Sequence, residues 1–180
     1  MLYLIFLDLF WSLAALIIDL PKLPEIPVWA WPFAVVCPIY PFLLFLVWRA
    51  IYKGREPNPY LLAFAVIGSA VFGLLALLFY PAVMTKIGFD WRSFGQIFWV
   101  LFYSLQGWYL LFKKRLLLGP AATVGGFLLV KFYLDYRFET FGYLGVEDLP
   151  AGSIFYLFVL AVALSFVLCL SAVILARRAK

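Results

Sequence analysis

Lys131-Phe-Tyr-Leu-Asp-Tyr-Arg-Phe-Glu-Thr-Phe-Gly-Tyr-Leu-Gly-Val-Glu-Asp-Leu-Pro150 is the stretch on which the reading of this chain turns. It holds six of the charged residues in a protein that has only 14 basic and 9 acidic ones. On both sides of it the sequence is almost continuously apolar. The fold therefore depends on what such apolar runs must become, and on which side of them this polar stretch lies.

The composition is 67% hydrophobic, 21% aromatic and 13% charged. Soluble domains carry roughly 25% charged residues, so a soluble fold is excluded as an expectation. The apolar runs are about 15–24 residues long, near the ~20 that cross a ~30 Å hydrocarbon core as a helix. Backbone exposed to lipid must satisfy its own hydrogen bonds, which makes these runs helices. The alternation of a membrane β-barrel is missing. The expected fold is all-α: one six-helix transmembrane domain over residues 1–180, with spans at about 2–20, 28–51, 60–80, 94–112, 116–134 and 154–176. Residues 2–20 lack a basic leader, contain Asp8 and end in Leu-Pro-Lys, so they read as a retained span and not as a cleaved signal.

Working away from the polar stretch, residues 116–134 have only fifteen uncharged positions before Lys131. That is about 22 Å of helix, so Lys131 is expected to snorkel toward the far interface. Gly119-Pro120 and Gly125-Gly126 weaken the same run. Span 2 opens with Trp29 and Trp31 and contains Pro38 and Pro41, which predict a kink or local break and free the carbonyls of Ala34 and Cys37. Span 3 has Ala65, Ser69 and Gly73 at four-residue steps, a stripe that lets a neighbour approach, and Pro81 is expected to close it. Ser93 with Gln96 has capping-box spacing for span 4, which carries Ser104 and Gln106 inside. Ser153 can cap span 6, where Ala161, Ser165 and Cys169 form a second small-residue stripe.

Charge then sets the orientation. With the N-terminus inside, the inner segments hold nine basic residues, at Arg49, Lys53, Arg55, 113–115, Arg177, Arg178 and Lys180. The outer segments hold five: Lys22, Lys86, Arg92, Lys131 and Arg137. The positive-inside rule places both termini in the cytoplasm and residues 131–150 outside. The net charge of +5 is spread over these short clusters, so no nucleic-acid partner is expected. The expected surroundings are the lipid bilayer of the plasma membrane, crossed several times, and other membrane subunits or further copies of the chain. Cys37 and Cys169 read as buried thiols, and with no histidine in the chain no haem or metal ligation is expected. No cofactor is expected.

Several residues are candidates for more than packing. Asp8 is the one acid clearly inside a span, which makes it a functional candidate. It reads either as a protonatable site on an ion or proton path, as a structural pair with a cation such as Arg49, or as a carboxyl that stays protonated. Lys131 and Asp135 are four apart and share a helix face. Asp19 lies near the same outer surface and can pair with Lys131 or Arg137. Tyr136 suits the interface. This region reads as a docking surface or as an ordinary interfacial anchor. Spans 2 and 5 occupy corresponding places in two three-span halves, and interrupted helices so placed point to a transporter site. No residue-level similarity between the halves accompanies them.

Three places resemble a known family. Trp29-Ala-Trp-Pro-Phe33 is followed by Cys37-Pro38, Lys131-Phe-Tyr-Leu-Asp135-Tyr136 runs into Tyr143-Leu144, and the spacing of spans agrees over most of the chain. These resemble the YpjA-like group of small prokaryotic membrane proteins. That group usually has an acid before the Cys/Ser-Pro pair, where Val36 stands here, and often a His mid-chain, which this sequence lacks. The resemblance implies an accessory role near a respiratory complex. The residues themselves, with no nucleophile beside a base, lead to a non-enzymatic structural or accessory subunit. The alternative is a small transporter or channel that uses span 2, span 5 and Asp8.

Overall fold

Residues 59–87 have no polar face at all, and a helix that is apolar all round belongs inside a bundle. The computed structural model, which describes residues 1–25, 28, 36–87, 91–137 and 153–178, puts this segment at the centre. The described elements are all helical: α1 (Leu2–Asp19), a 3₁₀ segment (Leu20–Glu25), α2 (Val36–Tyr52), α3 (Pro59–Ile87), α4 (Trp91–Lys113), α5 (Leu118–Arg137) and α6 (Ser153–Arg178). Helix α3 packs against α2, α4, α5 and α6, and α1 completes the bundle by lying along α2. The core follows that hub. Ala63, Ala65, Val66, Ile67, Ala70 and Val71 of α3 are essentially sealed from solvent.

The all-α expectation is met, with six α-helices among the described residues. One of them, α3, contains a stretch long and apolar enough by itself to cross a membrane, Pro59–Leu77, with a mean hydropathy of 2.3. Leu2–Ile18, Pro38–Tyr52 and Phe158–Ser171 are shorter apolar segments.

Several local expectations are corrected. Pro81 does not close α3, which continues through it to Ile87. A proline inside a helix frees one carbonyl and clashes locally, a cost that a long apolar helix can absorb without ending. Helix α2 likewise runs unbroken through Pro41. Pro38 falls in its first turn, where the missing N–H has no intrahelical partner to lose. Helix α4 begins at Trp91, so Ser93 lies inside its first turn and is not the cap. Helix α5 starts at Leu118 and extends to Arg137, past the expected end of the span. Residues 29–35 and 138–152, which include Trp29, Trp31 and most of the polar stretch, lie outside the described residues.

The small-residue stripes do what their spacing predicts. Ser69 and Gly73 of α3 face Gly107 and Ser104 of α4: a Cβ on Gly107 would stand 2.2 Å from Ser69 Oγ, and one on Gly73 2.1 Å from Ser104 Cβ. Ser69 Oγ folds back onto the Ala65 carbonyl at 2.5 Å, which hides its polarity within its own helix. The second stripe, on α6, meets α5, where Gly125 makes room for Cys169 and the Cys169 thiol points at the Ala121 carbonyl, 3.6 Å away.

The two halves of the chain are not built alike. Helices α1, α2 and α3 pack consecutively, whereas α4 packs on α3 and has only marginal contact with α5 among the described residues. Glycine-rich α5 is committed to α6 and α3.

Candidate functional site

Two buried polar clusters stand out in this apolar bundle. The first joins α1, α2 and α4. Asp8 is 1% exposed, and its Oδ1 accepts a hydrogen bond from Gln106 Nε2 at 2.8 Å. The Gln106 Oε1 accepts in turn from the Trp48 indole Nε1–H at 2.5 Å. This chain fixes the amide orientation. An indole can only donate, so the Gln106 oxygen must face Trp48 and its NH₂ must face Asp8. One turn along α1 from Asp8, Ser12 is also buried and donates to the Pro38 carbonyl at 2.8 Å. The proline segment of α2 is thus held by α1 through the Pro38 carbonyl.

Among the described residues α1 and α4 make no extensive backbone contact, so they meet through long side chains. Besides the Asp8–Gln106 bond, Trp11 and Trp99 stack with centroids 4.4 Å apart and rings 14° from parallel. Asp8 therefore lies in a side-chain-filled seam, with α2 alongside and the tryptophan pair further along it. Asp8 Oδ2 is buried and has no hydrogen-bond partner among the described residues.

The pairing of Asp8 with Arg49 is not what the structure has. Arg49 is exposed and Gln106 takes the carboxylate instead. The reason is positional. Arg49 falls next to Trp48 in the last turn of α2, and adjacent helical residues point about 100° apart, so only one of them can face the seam. Gln106 was legible as a polar residue inside a span. Ser12 could have been found as the residue one turn from Asp8 on the same face. Trp48 could not, since a tryptophan near a helix end reads as an interfacial aromatic until burial shows that its N–H needs an acceptor.

The second cluster lies on the other half of the bundle. Lys131 and Asp135 of α5 form an ion pair that is almost wholly buried, with the Lys131 ammonium 5.2 Å from the centre of the Phe72 ring and 5.6 Å from that of Phe132. The i, i+4 pairing is as expected; the snorkelling of Lys131 is not. The carboxylate one turn away, together with two aromatic faces, gives the ammonium partners inside the bundle. Tyr40, buried on α2, stacks on Phe72 at 4.9 Å, packs against Gly68 and lies within electrostatic reach of Asp135. Tyr136 turns to α6, where it stacks on Phe158 at 5.1 Å. Arg137 is exposed at the end of α5, and the side chain of Asp19 lies outside the described residues.

Asp8, Gln106 and Trp48 lie toward the Met1, Lys113 and Tyr52 ends of their helices, so those ends share one side of the bundle. Glu56 and Lys114, 3.4 Å apart, join the adjoining loops there. Among the described residues no three His, Cys, Asp or Glu side chains are grouped to hold a metal ion. The class that fold and clusters define is a helical bundle with two buried polar seams linking its helices. No protein-family model, curated protein or solved structure matches the chain.

Proposed function

We propose that this is a six-helix integral membrane protein of the plasma membrane, with both termini cytoplasmic, serving as a non-enzymatic structural or accessory subunit of a membrane assembly. The carrying observation is the outer surface. Phe10, Ile17, Phe98, Phe112 and Phe166 are each more than 60% exposed, and they are spread over α1, α4 and α6. A buried central helix alone would also suit a soluble core, but a soluble protein does not leave apolar surface uncovered on several helices. Each such side chain, left in water, forgoes about 1.5–3 kcal/mol of burial. Lipid or a partner's apolar flank supplies that burial. The basic clusters at 53–55 and 113–115, which adjoin one end of the bundle, support the cytoplasmic assignment of that end under the positive-inside rule.

The polar seams support a scaffold role. Gln106 of α4 joins α1 and α2 through Asp8 and Trp48, which is how internal polar groups hold helices together in lipid, while the Lys131–Asp135 pair lies within α5 and meets α3 at the Phe72 ring. The YpjA-like resemblance, with its accessory role near a respiratory complex, agrees with this reading and rests on the sequence. Extraction in mild detergent, followed by mass spectrometry of what co-purifies, tests it. A stoichiometric membrane partner is the expected result. Recovery of the chain alone from a carbonate-resistant membrane fraction would refute the subunit reading, and recovery from the soluble fraction would refute the membrane reading.

A second reading, a small transporter or channel, is favoured by one observation: the buried Oδ2 of Asp8, which has no partner among the described residues. The unlike packing of the two halves and the commitment of α5 to α6 and α3 weigh against it. Unchanged ion or proton flux in liposomes after Asp8→Asn would remove it.

A further inference from the structure

We infer that Asp8 is a proton-binding site, with the proton on Oδ2, in the seam between α1, α2 and α4. An ionised carboxylate has about four acceptor positions and satisfies them with donors, a counter-cation or water. Among the described residues a single donor reaches the group, the neutral amide of Gln106, and it is committed to Oδ1 because Trp48 holds the amide the other way round. The second oxygen is buried without a donor among the described residues.

No cation reaches the site from the described residues of the elements around it. On α1 there is no basic side chain, and on α2 and α4 Arg49 and Lys113 are exposed. Arg92 of α4 is about 21 Å from Gln106 along the helix axis, at 1.5 Å per residue. Ser12, the nearest hydroxyl on α1, has given its hydrogen to the Pro38 carbonyl. The same donor argues against a metal cation, because an N–H faces the carboxylate where a cation site would need another oxygen. An unpaired charge in such a place is far more costly than a neutral acid, even one whose O–H has no acceptor among the described residues.

The inference rests on the membrane reading and holds whether or not anything is transported. Infrared difference spectroscopy of the full chain in lipid, wild type against Asp8→Asn, tests it. Asparagine keeps an oxygen for Gln106, and the Trp11–Trp99 signal in near-ultraviolet circular dichroism reports whether the variant folds. The expected result is a carboxylic-acid carbonyl band that disappears in the variant and moves after transfer to D₂O. Absence of the band at neutral pH, or a band insensitive to D₂O, overturns the inference.

Should the variant not fold, the wild-type protein treated with a hydrophobic carbodiimide decides. The acid O–H adds across one N=C bond, the proton going to nitrogen and the oxygen to carbon, and an O-to-N acyl shift leaves a stable N-acylurea. An adduct on the Asp8 peptide, with none on Asp135, supports the proton site; adducts confined to other carboxyls overturn it. Failure of the membrane reading is seen separately, in the fractionation.

Discussion

Gly107 is where a close helix contact that includes backbone can be tested by a single methyl group. A Cβ there would lie 2.2 Å from Ser69 Oγ, 3.0 Å from the Val66 carbonyl oxygen and 3.2 Å from the Ala70 nitrogen. The first clash involves a hydroxyl already bonded to the Ala65 carbonyl, and the other two involve backbone, which cannot rotate away. In Gly107→Ala, α3 and α4 must therefore separate along the seam where they pack most extensively. Overpacking of this kind costs about 1–3 kcal/mol. Alanine also gains about 0.5–1 kcal/mol over glycine inside a helix. Gly126→Ala isolates that gain, because nothing lies within 4 Å of its Cβ. Unfolding of both variants in mixed detergent micelles, followed by far-ultraviolet circular dichroism, should place Gly107→Ala below Gly126→Ala by about the overpacking cost. In a Ser69→Ala background the penalty should shrink but persist, since the two backbone contacts remain. Equal stability of Gly107→Ala and Gly126→Ala would refute the close approach of α3 to α4.

Other consequences follow from the buried polar groups. Gln106→Leu strips the partner from both Asp8 Oδ1 and the Trp48 indole, and each orphaned group costs about 1–3 kcal/mol; adding Trp48→Phe should cost little more, and an additive second loss would show that the two are not linked. Lys131→Met removes the near cation from buried Asp135 and should lower stability by about 3–5 kcal/mol, while Lys131→Met with Asp135→Leu should recover much of it, both read by the same micelle unfolding. Glu56→Gln, at an ion pair whose carboxylate is 86% exposed, should move the unfolding midpoint negligibly. A large shift there would mean that the loop between α2 and α3 is held more firmly than a surface pair can hold it.

The class of fold and much of its local logic follow from the order of residues alone. Long apolar runs with few charges, read as lipid-exposed, can satisfy their backbones only as helices, and that reading made the all-helical architecture and the approximate position of each helix legible. So were the two small-residue stripes and the Lys131–Asp135 pairing, because both depend on spacing along one helix. What lay beyond it was any property that depends on which helix stands beside which. Lys131 looks like a residue that must reach for water until Phe72 of α3 and its own Asp135 are seen to enclose it. Asp8 looks like a partner for Arg49 until rotation of α2 turns Trp48, not Arg49, toward the seam and α4 brings Gln106 across it. Two residues nearly a hundred positions apart share a hydrogen bond only because the bundle closes. Spacing along a chain encodes a helix face, but the neighbour that meets that face is a choice among several apolar surfaces of similar hydropathy. Shape and the few polar groups make that choice, through the seam where Gly107 admits Ser69 and Gln106 joins Asp8 to Trp48.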